Sequence, residues 1–189
     1  FSPRMVSAKA EDAKLRMWVH NDSRTALEGT VEVELRDTAY GLLAHMEVPV
    51  QVPPLSVTEL DPVDFMQELA ERGQDTVFVA YRLCEKNNTG AYASTLFCRP
   101  KQMELPRPHY TVHVLDCGNV FDIYVKSDCY AHQVEIETNL TDRPFSDNYF
   151  SLCTPQGVHV ALEKDSVAPG VTAEQLRESL QVRSVADTF

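Results

Sequence analysis

The sequence predicts an all-β chain that folds into two tandem β-sandwich domains with short helices. Segments of alternating apolar and polar residues recur along the 189 residues about every 8–12 positions, with turn-forming residues between them. Helical segments do not alternate regularly with strands, which disfavours an α/β fold. A proline-rich stretch separates two parts of about 90 residues, close to the roughly 100 of an immunoglobulin-type domain. We therefore expect immunoglobulin-like sandwiches over residues 1–98 and 109–189.

Six strands are predicted in the first part, and residues 29–37 show the clearest pattern. Val31, Val33 and Leu35 share one face there, and polar residues occupy the other, as in a half-buried antiparallel strand. Pro49 interrupts the next strand, which places that strand at a sheet edge or a bulge. The six predicted strands cover 14–20, 29–37, 42–52, 56–60, 75–84 and 91–98.

A short helix is predicted between the fourth and fifth of these strands. Asp61 is expected to cap its N-terminus, with Pro62 at the first helical position. Gly73 is expected to end the helix. Its apolar stripe consists of Phe65, Met66 and Leu69.

The connector and the second part follow the same logic. Three prolines within residues 99–108 predict an extended, stiff connector. Thr172 and Gln175 form a capping box ahead of a short helix that ends at Leu180. The predicted strands of this part cover 109–115, 120–125, 130–138, 157–162 and 181–185.

Charge and cysteine content restrict the classes of partner. The net charge of −11 argues against nucleic acid and against an anionic membrane surface, because both repel an acidic protein. No apolar run approaches the roughly 18 residues of a membrane span. The chain starts on Phe1 with no signal-peptide pattern, which indicates a fragment of a longer protein. The odd number of cysteines, five, favours reduced thiols and a cytoplasmic location, although Cys84 and Cys98 could face each other across one hairpin.

A search for chemistry finds no catalytic, metal or cofactor motif. Glu32 and Glu34 could form a carboxylate pair, but their strand predicts a solvated polar face. The six histidines lack the spacing of a zinc site, and no phosphate-binding or nucleophile motif occurs. Trp18 is expected to pack in the core. Four tyrosines are candidates for a sugar-binding surface: Tyr40, Tyr92, Tyr124 and Tyr130.

One motif carries a family resemblance. The segment Asp147-Asn148-Tyr149-Phe150, followed by Pro155 and Gly157, resembles the last domain of β-mannosidases of glycoside hydrolase family 2. Residue by residue, Asp147 and Asn148 can hold a tight turn, and Tyr149 and Phe150 can bury apolar area beside it, which predicts a structural corner. Further matching segments are Phe97 with Pro100-Lys101 and Leu105-Pro106, and Ser127-Asp128 with Tyr130-Ala131.

The resemblance implies accessory domains and no active site within this stretch. The enzymes that this segment resembles have β-sandwiches around a catalytic (β/α)₈ barrel, and such a barrel takes about 250 residues. Their acid/base is a Glu directly after an Asn, and no Asn-Glu dipeptide occurs here, so no catalytic residue is assigned. The implied role is a C-terminal scaffold of an exo-glycosidase, with an upstream catalytic barrel as partner and no cofactor.

Several alternatives stay open at this point. An exo-glucosaminidase or a β-galactosidase could be the parent enzyme, because their accessory domains look alike. The chain could instead be a pair of carbohydrate-binding modules that takes an oligosaccharide as its partner, or a tandem immunoglobulin-like interaction protein. The first of these predicts an exposed aromatic platform, and the second predicts secretion and disulfides.

Overall fold

The computed structural model describes residues 2–188 and contains two compact units, the first ending at Glu104 and the second beginning at Leu105. Each unit consists of two antiparallel sheets that enclose one apolar core. The predicted all-β class of two sandwich domains with short helices is therefore confirmed. Phe1 and Phe189, the outer limits of the predicted domains, lie outside the described residues.

The described part of the first unit contains nine strands and one α-helix. Its first sheet has the order β1-β2-β5, with β6 also beside β2; the second has the order β4-β3-β7-β8, with β9 also on β7. The elements are β1 (Arg4–Glu11), β2 (Lys14–Asn21), β3 (Leu27–Asp37), β4 (Leu42–Val52), β5 (Ser56–Glu59), β6 (Val63–Asp64), α1 (Met66–Arg72), β7 (Val77–Glu85), β8 (Asn88–Thr89) and β9 (Ala93–Leu96).

Strands β2 and β3 form the centre of this core. The alternating apolar residues of each strand point between the sheets and are inaccessible to solvent, and each such side chain contributes about 1.5–3 kcal/mol by its burial. They are Leu15, Met17 and Val19 from β2 and Val31, Val33 and Leu35 from β3. Strand β4 lies at the edge of its sheet, and Pro49 pairs there with Thr30 in regular register. The edge position, rather than a bulge at Pro49, is the correct alternative.

The first unit differs from the prediction in two places, one missed strand and one wrong helix start. Strand β1 was not expected, because only Val6 of its residues is buried and small alanines fill the rest of its inward face. The helix begins at Met66, since the segment after Asp61 and Pro62 pairs with β2 as β6. Asp64 accepts a hydrogen bond from the Met66 amide at 2.9 Å, and Met66 itself is exposed.

The predicted connector is not extended throughout. Pro100–Gln102 forms a 3₁₀ turn, with proline at a position where its fixed φ favours helical geometry. Met103 is buried, and the Glu104 amide donates to the Asp75 carbonyl at 2.8 Å. This part of the 99–108 segment therefore packs onto the first unit.

The second unit is a smaller sandwich with sheet orders β10-β11-β14 and β13-β12-β15. The capping box at Thr172 and Gln175 is confirmed, with both reciprocal hydrogen bonds formed. The last strand ends at Arg183, and a 3₁₀ turn follows instead of the predicted continuation to 185. The elements are β10 (Tyr110–Asp116), β11 (Val120–Ser127), β12 (Ala131–Glu137), β13 (Phe150–Leu152), β14 (Val158–Glu163), α2 (Ala173–Ser179) and β15 (Gln181–Arg183).

Helices have a minor place in the described chain. Both α1 and α2 contain seven residues, and neither is long and apolar enough to cross a membrane.

Candidate functional site

The Asp147–Phe150 motif forms a corner in which one side chain substitutes for a strand. The Asn148 Oδ1 accepts a hydrogen bond from the Ile136 amide at 2.8 Å, and its Nδ2 donates to the Ile136 carbonyl at 3.0 Å. A primary amide carries one donor side and one acceptor side, so it can replace a main-chain peptide in a ladder. Asn148 thus continues the pairing of β12 beyond the short strand β13.

The neighbours of Asn148 complete the turn and point in opposite directions. The Asp147 Oδ1 accepts from the Asn148 amide at 2.8 Å, and the Asn148 Oδ1 also accepts from the Tyr149 amide at 3.0 Å. Phe150 packs against the core of the second unit. Tyr149 is 63% exposed, which contradicts the expectation that its ring buries apolar area at the corner.

Tyr149 also adopts an uncommon backbone conformation. Its φ is +60°, in the left-handed region that favours glycine. Gln133 on the neighbouring strand β12 also has a positive φ, at +50°. Gln133 lies where the register of β12 against β13 shifts between Ala131 and Val134. Both side chains line a pocket of about 380 Å³ that Glu135 and Arg183 also line.

No sequence pattern indicates this pocket directly. Glu135 and Glu137 alternate with buried Val134 and Ile136, which assigns them to the outer face of β12. Arg183 joins them only because β15 pairs with β12, and a pairing across about 45 residues leaves no local pattern.

A second polar cluster lies on the outer face of β3 and β4 and corrects the predicted solvated carboxylate pair. Glu34 is only 6% exposed, and its Oε2 accepts from Arg36 Nε at 2.7 Å. Glu32 is half-buried between Arg82, at 2.5 Å, and His45, at 3.3 Å. The pairing of β3 with both β4 and β7 brings these groups together.

Glu32 is unsuited to the role of a general acid. Burial opposes ionisation of the Glu32 carboxyl. The hydrogen bond and the positive charge of Arg82 outweigh burial, with a further contribution from His45, and the pKa of that carboxyl is lowered below its ordinary value. A glycosidase general acid needs a raised pKa instead. Within residues 2–188, Glu32, Glu34 and His45 form the one group with ligand atoms close enough together for a metal ion. Arg36 and Arg82 already supply the positive charge that such an ion would bring.

The aromatic residues named from the sequence lie mostly elsewhere than predicted. Tyr40 and Tyr130 are buried, and Tyr92 and Tyr124 are half-buried, so these four do not form an exposed platform. Trp18 lies on the outer face of β2, where the Arg16 guanidinium carbon is 5.1 Å from its ring centre. The prediction that Trp18 packs in the core is wrong, because the inner face of β2 belongs to its other, aliphatic set of residues.

No disulfide joins any of the five cysteines. Cys84 and Cys98 are both half-buried and are not bridged across their hairpin. Burial raises the pKa of the Cys129 thiol to about 11, and this lowers its reactivity as a thiolate nucleophile. Cys117 is exposed in the turn between β10 and β11.

Family models match almost the whole chain. Residues 13–102 match the mannosidase Ig/CBM-like domain, and residues 105–188 match the mannosidase-type Ig-fold domain. These matches confirm the resemblance that the Asp147–Phe150 motif indicated. No curated protein sequence matches the chain significantly.

Solved structures of larger enzymes contain the same fold. The β-D-mannosidase from Dictyoglomus thermophilum superposes over 97% of this chain with a TM-score of 0.77 and 17% identity. The exo-β-D-glucosaminidase CsxA superposes over 96% with a TM-score of 0.61 and 10% identity, and an exo-chitosanase CsxA structure from Amycolatopsis orientalis gives 0.58 over the same share, also at 10% identity. The chain spans 22% of the first structure and 25% of the other two.

Proposed function

The chain belongs to the mannosidase-type immunoglobulin-like domain families, and from this premise we propose that it is the non-catalytic C-terminal part of an exo-glycosidase of glycoside hydrolase family 2. The parent enzyme in this proposal is a β-mannosidase that removes terminal β-linked sugars. The role of the two domains is to support the catalytic domain of the same polypeptide.

The tandem order of the two domain matches carries the proposal. A mannosidase Ig/CBM-like domain is followed, after only two residues, by the mannosidase-type Ig-fold domain, and the two matches together span residues 13–188. A single immunoglobulin-like match would support many binding or adhesion proteins, since this fold hosts unrelated functions. Two matches from one enzyme class, in sequence, support one architecture.

The chemistry of the described residues supports a non-catalytic role. Glu32 and Glu34, which have carboxylate oxygens within 4.8 Å of each other, are each paired with an arginine. Hydrolysis of a glycoside needs one carboxyl held protonated and a second one free to attack or to activate water. We therefore place the acid/base and the nucleophile in a (β/α)₈ barrel upstream of this chain.

The choice of β-mannosidase over exo-glucosaminidase rests on two supports. Both domain models are of the mannosidase type, and the superposition on the Dictyoglomus thermophilum enzyme has the higher TM-score, 0.77 against 0.61. The parent enzyme is therefore expected to prefer a terminal β-mannoside to a β-glucosaminide.

Three measurements test the proposal. The residues encoded before Phe1 should contain a barrel with strands alternating with helices, and a coding region without one would refute the parent assignment. The intact parent should hydrolyse nitrophenyl β-mannoside faster than nitrophenyl β-glucosaminide, and the reverse preference would replace the mannosidase with a glucosaminidase. The 189-residue chain alone should hydrolyse neither, so turnover by the purified chain would contradict the non-catalytic role.

A further inference from the structure

We propose that the pocket beside Tyr149 in the second unit binds one pyranose ring of a neutral saccharide, with the Tyr149 ring as its platform. The pocket has a volume of about 380 Å³, within the range of about 300–1,000 Å³ typical of small-molecule sites. Its lining includes Gln133, Glu135, Arg183 and Asp187 in addition to Tyr149.

The Tyr149 ring is presented to solvent and fixed in position. It is the only aromatic side chain among the large, highly exposed apolar residues of the described chain, and its hydroxyl donates to Glu135 Oε1 at 2.7 Å. An aromatic side chain has few rotatable bonds, so a ring anchored at its far end loses little entropy when a ligand covers it. The apolar C–H face of a sugar ring suits such a surface.

The backbone directs two side chains toward the same pocket. Tyr149 and Gln133 both have positive φ, and Gln133 lies at a register shift in β12. A bulge re-aims the side chain it carries, and left-handed backbone at residues other than glycine persists where the surrounding structure holds it. That two such residues line one pocket distinguishes this place from the rest of the second unit.

The charged groups around the ring disfavour an anionic ligand. Arg183 Nη2 lies 3.0 Å from Glu135 Oε2 and 2.7 Å from Glu137 Oε2, so the guanidinium is shared between two carboxylates. Asp187 adds a third carboxylate and accepts from the Ser184 amide at 2.8 Å. Three acidic groups against one basic group repel an anion, while carboxylate and guanidinium edges can hydrogen-bond vicinal hydroxyls.

A saccharide fits these observations better than a protein partner does. A stable protein interface buries about 1,000 Å² or more around an apolar centre. Here the exposed apolar surface is one ring surrounded by charged groups. The inference does not depend on the identity of the parent enzyme, because every residue that it uses lies in the second unit.

Titration of the ¹⁵N-labelled 189-residue chain with mannotriose, followed by amide NMR, tests this site. We expect chemical-shift changes grouped at residues 133–137, 148–151 and 183–188, with a dissociation constant on the order of 1 mM. Glucuronate, an anionic sugar with a single pyranose ring, serves as the charged probe and should bind more weakly.

Three variants locate the binding. Tyr149→Ala should weaken mannotriose binding about tenfold or more, and Tyr149→Phe, which keeps the ring, should retain most of it. Tyr124→Ala removes a half-buried tyrosine of the other sheet, whose hydroxyl donates to the Gln156 carbonyl, and should leave binding unchanged. Amide spectra of all three variants verify that each one folds.

Several outcomes would overturn the proposal. These are no response to mannotriose at tens of millimolar, equal binding by Tyr149→Ala and the unchanged chain, or tighter binding of glucuronate. Mannotriose could fail to bind while Tyr149→Ala breaks the packing of the second unit on the catalytic domain in the intact parent. In that case the patch is a docking surface and not a saccharide site. Binding of mannotriose to the second unit and hydrolysis of nitrophenyl β-mannoside by the parent are independent measurements. The binding proposal can therefore fail while the proposed function holds, and the reverse.

Discussion

The side chain of Asn148 makes both hydrogen bonds with the main chain of Ile136 that a neighbouring strand would otherwise make. Ile136 is buried in the core of the second unit, so its amide and carbonyl need partners there. A single side chain thereby closes the edge of β12 at the point where β13 has not yet begun.

Asn148→Ala is therefore expected to destabilise the second unit by about 2–4 kcal/mol, because it leaves two main-chain groups without partners. Urea unfolding gives the free-energy change, and faster hydrogen exchange at the Ile136 amide locates it. Asn139→Ala is the control: Asn139 is exposed in the nearby loop, and the change should stay within about 0.5 kcal/mol. Equal effects of the two substitutions would contradict the ladder role of Asn148.

The Glu32–Arg82 pair predicts a stability loss in acid. The pKa of Glu32 in the folded chain lies below its ordinary value of 4.5, although burial opposes this, because Arg82 and His45 favour the ionised form. A lowered folded-state pKa adds stability that is fully present above the unfolded-state pKa and is lost as the pH falls through the folded-state value. Glu32→Gln removes this contribution. The variant should lose less stability than the unchanged chain between pH 5 and pH 3, measured by thermal unfolding at each pH.

A control separates Glu32 from general acid unfolding. Glu47 lies opposite Glu32 on β4 and is exposed, so Glu47→Gln should retain the full pH dependence of the unchanged chain. If both variants show the same flattened profile, the Glu32–Arg82 pair is not the cause.

The Tyr110 hydroxyl is a buried group without a hydrogen-bonding partner among the described residues. Burial raises its pKa to about 12, and Ser184 and Asp187 lie close enough to influence it without forming a hydrogen bond of normal geometry. Tyr110→Phe removes a desolvated hydroxyl, so it should be neutral or stabilising by up to about 1 kcal/mol.

The matched substitution for Tyr110→Phe is Tyr124→Phe in the adjacent strand. The Tyr124 hydroxyl donates to the Gln156 carbonyl at 2.7 Å, and its removal should destabilise the chain by about 0.5–1.5 kcal/mol. The urea midpoint of Tyr110→Phe should therefore stay unchanged or rise, and the urea midpoint of Tyr124→Phe should fall. A loss of 1 kcal/mol or more in Tyr110→Phe would mean that its hydroxyl has a partner in solution.

Period-two alternation predicted the core strands because it is local and strong. Strands β2 and β3 were predicted from their own residues, and the same residues form the centre of the core. Strand β1 was missed because its inward face offers small alanines, and its pairing with β2 supplies what its sequence lacks. Asp61 and Pro62 resemble a helix start locally, but pairing of the following residues with β2 delays the helix.

The candidate sites were harder to predict than the fold, for a related reason. Asp147, Asn148 and Phe150 form a corner whose residues adjoin in sequence, so a motif could indicate it. Tyr149 points outward from a left-handed backbone that its residue type does not indicate, and its neighbour Arg183 arrives from a strand about 35 residues later. Likewise, Glu34 pairs with Arg36 of its own strand and contacts Tyr92, which arrives from a later part of the chain, and the alternating pattern of β3 does not report that tyrosine.

Gly157 occupies a position that no other residue can take without strain. Its φ is +70°, and a Cβ atom there would overlap the Val125 carbonyl oxygen and lie 2.8 Å from Lys126 Cβ. Gly118, in the turn between β10 and β11, also has positive φ, at +81°, but a Cβ would meet nothing within 4 Å.

The two glycines separate conformational from steric cost. Gly118→Ala should destabilise the chain by about 1–2 kcal/mol, the cost of left-handed backbone alone. Gly157→Ala adds a clash with the main chain of β11, and overpacking of this kind costs a further 1–3 kcal/mol or so. Urea unfolding of both variants gives the difference. Equal losses would mean that β11 moves aside freely, which the pairing of β11 with both β10 and β14 opposes.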